Sequence, residues 1–435
     1  MAQKGEGLKR SISLWGLSAN IINTVIGAGI FALPAIVAEG LGSGSIFAYL
    51  FCGALVILVM LCFAEVGSKI SHPGGIYAYI EQTFGKYAGF LAAILFLIAS
   101  VSSDAAVANA LADIISTFWP FFQETWIKTL FFMLLFSGLA VINVKGTKEG
   151  VRFVMLITFM KIIPLLAIVL IGFKDIDITN LYWKTVPSIK DLGEMSLILF
   201  FAFQGAESGL SINGEVKNPQ KTIPKAIFIS VAVILILYIL IQTVAQGVLG
   251  NTLISFQENP LGELANQIFG PIGLTLITIG AGVSIFGTLS SEIFGIPRVI
   301  FSAAKDEVIP IKILTSVHKK YITPHIAIIV YATLGFLFAT FGGFKQLAIL
   351  SSAALLIIYL GVALAVIKLR INEKKEDKSK TFRIPGGYIV PILSALIILY
   401  FLSNLTKNEM ITTAIFIGII SIIYLGILKF KKKDD

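Results

Sequence analysis

Charge is what this 435-residue chain has least of: Asp, Glu, Lys and Arg together make 14% of it, against 56% hydrophobic residues. A soluble domain carries roughly 25% charged residues, so the composition excludes an ordinary soluble enzyme or binding domain. Cysteine is scarce too. Cys52 and Cys62, the only two, share one apolar run and show no disulfide or metal spacing. The three histidines, His72, His318 and His325, are scattered, and no metal or cofactor site is expected. The net charge of +9 lacks the interleaved aromatics of a nucleic-acid surface, so no nucleic-acid partner is expected.

What is present is long apolar sequence, with a mean hydropathy of +0.90. A helical span needs about 20 apolar residues. Twelve are expected, near 12–36, 42–68, 83–116, 125–144, 149–173, 189–213, 222–250, 266–303, 324–341, 345–369, 386–403 and 411–429. This pattern predicts an all-α polytopic membrane protein with no soluble domain beside it. The first run continues through Pro34 as a span and shows no cleavage signal.

An even number of spans puts both termini on one side. With the N-terminus inside, 27 of the 34 Lys and Arg residues fall in inner segments, 6 in outer segments, and one, Lys161, within a span. That asymmetry follows the positive-inside rule and predicts a multi-pass protein of the cytoplasmic (inner) membrane with both termini in the cytoplasm. Lys431 to Lys433 are read as an anchor at the lipid surface.

Two spans are interrupted: the first at Gly27-Ala28-Gly29, the sixth at Gln204-Gly205-Ala206-Glu207-Ser208-Gly209. Glycine costs about 1 kcal/mol against alanine in a helix, and backbone freed at membrane depth must find partners in protein or in a wet cavity. A binding site is therefore expected where the breaks meet. Five spans separate the breaks, an odd number that inverts the second copy, as in transporters built from inverted repeats. The expected organisation is an N-terminal segment 1–11, repeats 12–173 and 189–369, a charged linker 370–385, two extra spans in 386–430 and a tail 431–435. The linker ends in the turn signal Pro385-Gly386-Gly387.

Ionisable residues inside a span mark functional sites by default. Lys161 lies mid-span in Phe159-Met160-Lys161-Ile162-Ile163-Pro164, Asp104 follows the small-residue run Ala99-Ser100-Val101-Ser102-Ser103, Glu207 follows the second break, and Glu292 sits in span eight. One lysine against three carboxylates means that a cation or a proton must enter the site.

Four motifs in order resemble a known family: IGAGIFALP over 26–34; Ala64-Glu65-Val66-Gly67-Ser68 through Pro73-Gly74-Gly75-Ile76-Tyr77-Ala78-Tyr79 to Phe84-Gly85; Phe201-Ala202-Phe203-Gln204-Gly205-Ala206-Glu207 leading to Gly214-Glu215-Val216-Lys217-Asn218-Pro219 and Ile223-Pro224; and Phe286-Gly287 through Pro297-Arg298 to Asp306 and Pro310. Over roughly residues 10 to 430 the chain resembles the amino acid-polyamine-organocation (APC) transporters. The resemblance implies a five-plus-five inverted-repeat core that carries an amino acid or amine by alternating access.

It also implies roles. The amides of Ala28, Gly29 and Ile30, at the positive end of a half-helix, would hold a substrate carboxylate, and the carbonyls of Val25, Phe201 and Gln204 the ammonium. Close helix packing is the competing reading of Gly27 and Gly29. Lys161 would reach the carbonyls of Asn23 and Ile26 and the hydroxyl of Ser284 or Thr288, either cycling a proton or remaining a fixed charge. Laid against one member of the family, an arginine/agmatine antiporter, Glu207 matches a glutamate assigned to proton coupling, while Asp104 falls where that member has an asparagine of the site and Glu292 where it has a tryptophan lining the path, departures that make this pocket more acidic. Ala99, Ser100, Asp104, Glu207 and Glu292 are thus expected at the substrate, with two readings of the acidity. Either the carboxylates pair the distal cation of a basic substrate, or they serve the proton.

Gln204 would bond the substrate or cap freed backbone. Phe201, Phe203 and Phe286 are read as a lid or as ordinary packing, and Tyr77 and Tyr79 as interfacial anchors. Glu215, Lys217, Lys221, Lys225, Arg298, Lys305, Asp306 and Glu307 would form an ion-pair latch or a solvated face. The expected activity is secondary transport, with no enzyme chemistry: a proton-coupled symporter or exchanger leaning to basic amino acids or related amines. The alternative is a neutral amino acid/proton symporter.

Overall fold

Backbone polar groups in hydrocarbon must be satisfied within the protein, and the chain meets this requirement with helices. The computed structural model describes residues 12–70, 76–145, 151–183, 186–209, 216–372 and 382–434. They form α1 (Leu14–Val25), α2 (Ala28–Leu41), α3 (Ser45–Lys69), α4 (Ile76–Phe84), α5 (Lys86–Ser116), α6 (Thr125–Lys145), α7 (Val151–Gly172), α8 (Ile189–Leu199), α9 (Ala206–Gly209), α10 (Pro219–Leu249), α11 (Pro260–Phe269), α12 (Pro271–Lys305), α13 (His325–Phe341), α14 (Phe344–Ile371), α15 (Ile389–Ser403) and α16 (Lys407–Asp434). Among the described residues the only β contact is a parallel bridge between Ile12 and Val216, where the Lys217 amide donates to the Ile12 carbonyl at 2.9 Å.

This is a polytopic helical membrane protein. Among the described residues seven stretches are long and apolar enough to cross a membrane unaided, from Ala28–Lys69 to Lys407–Ile427, and His325–Phe341 and Ile389–Ser403 are shorter apolar helices. Both interrupted spans are broken where the glycines stand. α1 ends at Val25 and α2 begins at Ala28. α8 tightens into a 3₁₀ turn over Phe200–Phe203, and the chain passes through Gln204, which is extended, and Gly205, at positive φ, before α9.

The helices pack in two sets. α1, α2, α3, α8 and α10 lie against one another, as do α5, α6, α12 and α13. α7 and α14 touch both sets, while α15 lies on α3 and α14. The broken helices belong to the first set, and α5 and α12, carrying Asp104 and Glu292, to the second.

Some boundaries differ from expectation. The third span does not start at 83: Gly85, at φ +98°, separates the short helix α4 from α5. Span eight likewise starts after Gly270, at φ +73°, where α11 turns into α12. A left-handed φ suits glycine because it has no Cβ to clash. Arg370, assigned to the linker, belongs to α14, where it is buried and paired with Glu65 of α3. Glu65 also accepts the Ile384 amide at 2.9 Å, which pins the end of the linker. Linker residues 373–381 lie outside the described residues, as do His72, Pro73-Gly74-Gly75, Gly214 and Glu215.

Tyr77 is a core residue and not an interfacial anchor: it is 1% exposed and donates to Asp306 Oδ2 at 3.0 Å. Phe286 is 46% exposed on α12 and takes no part in a lid.

Candidate functional site

The two breaks lie side by side. A Cβ on Gly29 would stand 2.7 Å from both Cα and Cβ of Ala202, so only glycine lets α2 approach the 3₁₀ turn this closely. Gly205 has φ +103°, and a Cβ there would meet Thr24 Cγ2 at 3.0 Å and the Thr24 carbonyl at 3.2 Å. Tyr238 of α10 spans both breaks, its hydroxyl 3.3 Å from the Val25 carbonyl and 3.1 Å from that of Ala202. Freed backbone at this depth is thus satisfied by a side chain from a neighbouring helix, as hydrocarbon demands.

A cavity of about 650 Å³, counted with its open mouth, lies against the breaks. Thr24, Val25, Gly27, Ala28 and Gly29 form one wall, and Phe201, Ala202, Gln204, Gly205 and Glu207 a second. α5 supplies Phe96, Ala99, Ser100, Ser103, Asp104 and Val107; α12 supplies Thr288, Glu292 and Ile296, and α14 Leu355. The first amides of α2 have no carbonyl partner within their own helix and carry its positive dipole end, a setting suited to a carboxylate.

Each polar group on this surface is held differently. Asp104 is 1% exposed, and its Oδ2 accepts the Tyr331 hydroxyl at 2.8 Å. Glu207 accepts the Gly205 amide at 3.1 Å and the Tyr359 hydroxyl at 2.5 Å; it therefore caps backbone freed by the second break. Gln204 donates to Ser352 Oγ at 3.0 Å, and its Oε1 lies 2.8 Å from Ser351 Oγ. Both of its functional groups are engaged by α14. Glu292 has no hydrogen bond or ion pair among the described residues.

Lys161 stands behind the cavity and does not line it. Its Nζ donates to Thr288 Oγ1 at 3.1 Å and lies 3.3 Å from the Ile26 carbonyl and 3.5 Å from that of Asn23. It touches the first break from the outside while Thr288 faces the cavity.

Of the residues singled out in the sequence, Val25, Ala28, Gly29, Ala99, Ser100, Asp104, Phe201, Gln204, Glu207, Thr288 and Glu292 meet at this cavity. Ile30, also of α2, is not among the lining residues, and its side chain is fully buried in the core. Ser284 is not the hydroxyl at Lys161; among the described residues its Oγ has no partner, and its carbonyl accepts from Thr288. Phe203 is buried edge-on against Tyr238, with ring centroids 5.3 Å apart, and forms no lid. Of the charged cluster expected to form a latch, Asp306 is engaged by Tyr77 and Arg298 lies 3.6 Å from the centre of the Phe294 ring. Among the described residues no group of three His, Cys, Asp or Glu is placed to hold a metal.

The tyrosines Tyr238, Tyr331 and Tyr359 and the pair Ser351-Ser352 were not legible as site residues. In an apolar helix a tyrosine reads as packing. The one available signal is that its hydroxyl needs a partner once buried.

The matches to known proteins agree with this arrangement. The family model described as "Amino acid permease" matches residues 12–428. The serine/threonine exchanger of Bacillus subtilis is 29% identical over 441 aligned residues, covering 99% of this chain and 100% of that protein. The branched-chain amino acid permease of the same organism is 25% identical, over 93% of this chain and 90% of its own length. An arginine/ornithine antiporter of Pseudomonas aeruginosa is 27% identical over 69% of this chain and 65% of its own length. With paired helix breaks around a central cavity and a family match over nearly its whole length, the chain belongs to the amino acid permeases of the APC superfamily and is a membrane transporter of amino acids, not an enzyme.

Proposed function

We propose that this permease works by alternating access as an exchanger or a proton-coupled symporter, and that its preferred substrate is a basic amino acid or a related amine. The excess of Lys and Arg in the segments read as inner supports a location in the cytoplasmic membrane with both termini inside. The first amides of α2 receive the α-carboxylate and the carbonyls of Val25, Phe201 and Gln204 the α-ammonium, leaving the substrate side chain to face α5 and α12.

One observation carries the substrate class. Asp104 and Glu292 line the same cavity, among whose described lining residues there is no Lys or Arg, and Lys161 behind it directs its ammonium at two carbonyls and a threonine. Among the described residues neither carboxylate has an ion-pair partner, and uncompensated charge at membrane depth is unfavourable, so a cationic side chain is the complement this surface lacks. The relatives are named for neutral and for cationic substrates alike, which leaves the residues facing the side chain to decide between them.

A second reading is favoured by the tyrosine contacts. Asp104 and Glu207 already accept protein hydroxyls, which suits carboxylates that serve only a proton while a neutral amino acid is carried.

Uptake into proteoliposomes, competed by twenty amino acids and several polyamines at two pH values, separates the two. Competition confined to cationic compounds is expected. Strong competition by neutral amino acids, with none by lysine, arginine or ornithine, overturns the basic-substrate reading in favour of the second.

A further inference from the structure

We infer that Tyr331, on α13 and out of reach of the cavity, is a positioning residue that sets the preference for a cationic side chain through Asp104; the inference rests on the basic-substrate reading above. Tyr331 is fully buried and Asp104 is 1% exposed. The phenol stands 2.8 Å from Oδ2 of the carboxylate. An ionised carboxylate only accepts hydrogen bonds, so the tyrosine donates.

That bond does two things. It fixes the rotation of the carboxyl group, because α5 carries Asp104 between the cavity and α13. It also occupies one oxygen and leaves the other: among the described residues Oδ1 has no hydrogen bond, and Asp104 lines the cavity. Hydrogen bonds to charged groups are stronger than neutral ones, and a fixed acceptor loses less freedom when a ligand binds. The phenol therefore aims a single oxygen at the place where the distal end of a substrate would lie.

A polar group pre-set for one substrate feature discriminates strongly against the analogue that lacks it. Lysine and norleucine make that comparison: they share chain length and differ in the terminal ammonium. Ornithine and norvaline repeat it one methylene shorter.

The test is competition of labelled lysine uptake in proteoliposomes by these four compounds, for the wild-type protein, Tyr331→Phe, Asp104→Asn and the double variant. Tyr331→Phe keeps the ring and removes only the donor. We expect it to raise the apparent KM for lysine about tenfold, as loss of a hydrogen bond to a charged group implies. Maximal rate should stay within about twofold and inhibition by norleucine unchanged. A change confined to lysine and ornithine is not what a loosened helix contact would produce.

The double variant should be no worse for lysine than Asp104→Asn alone, the non-additivity of residues acting as a unit. If Tyr331→Phe does not insert, Tyr331→Met, which also removes the donor and keeps an apolar side chain in its place, is measured instead with the same expectations. If Asp104→Asn loses the preference while Tyr331→Phe keeps it, the role of Tyr331 is overturned and the basic-substrate reading stands. Additive losses, or equal losses for lysine and norleucine in Tyr331→Phe, also overturn it. If the wild-type protein does not distinguish lysine from norleucine, the basic-substrate reading fails and takes this inference with it.

Discussion

Gly29 and Ala202 touch backbone to backbone: a Cβ on the glycine would stand 2.7 Å from the alanine Cα. The first and second breaks are therefore in direct contact, and the contact is one that no side chain larger than hydrogen permits.

Gly29→Ala should destabilise the protein by about 1–3 kcal/mol, the usual cost of overpacking, despite the helix propensity that alanine adds. Gly27→Ala is the control. Its Cβ would meet Thr288 at 3.7 Å, an ordinary contact, and its φ of −127° is open to any residue. Thermal unfolding in detergent should separate the two, with Gly27→Ala close to wild type. Equal losses would show that the breaks need glycine for flexibility and not for their close approach.

Tyr238→Phe removes the hydroxyl shared by the Val25 and Ala202 carbonyls. Leaving buried acceptors unsatisfied costs about 1–3 kcal/mol. A lower unfolding temperature is expected, together with weaker substrate binding, because both breaks lose their common tie. Binding affinity unchanged in a folded variant would count against the tie.

Lys161→Ala takes away a buried ammonium that holds the first break to α12 through Ile26, Asn23 and Thr288. Transport should fall by at least about tenfold, on the order of one lost charged hydrogen bond, and its pH dependence should change. Undiminished, pH-dependent uptake by the alanine variant would show that neither the charge nor the proton of Lys161 matters.

Arg370→Met tests the fold away from the cavity. Glu65 and Arg370 are a fully buried pair between α3 and α14, and breaking such a pair from one side costs about 3–5 kcal/mol. The variant should unfold at a lower temperature, and adding Glu65→Gln should recover part of the loss. Lys69, 3.2 Å from Glu65, moderates the effect if it takes over the charge. No change in unfolding temperature would mean that Lys69 replaces Arg370 completely.

The helical, membrane-spanning architecture was legible because hydrocarbon imposes it directly: runs such as those of α10 and α14 are too long and too apolar to lie in water. The breaks were legible at Gly27, Gly29 and Gly205 because glycine weakens a helix and backbone freed at membrane depth needs a sheltered or wet setting. The deep ionisable residues Asp104, Lys161, Glu207 and Glu292 stood out because burying charge is costly enough to be rare.

Which of these groups touch, and which are already satisfied, lay beyond the sequence. A linear reading leaves open whether Glu207 meets substrate or proton and whether Gln204 bonds the substrate or caps backbone; only the fold brings Tyr359, Ser351 and Ser352 of α14, about 150 residues later, to engage them. Ser284 and Thr288 sit one turn apart and are equivalent by spacing; only the rotation of α12 brings Thr288 to Lys161. Tyr331 and Tyr238 acquire a role solely through helices packed against them. Composition and periodicity report the solvent each segment must face, and so determine spans and breaks. Partnership between side chains depends on helix rotation and crossing, which arise from packing the whole bundle and are written in no local stretch of residues.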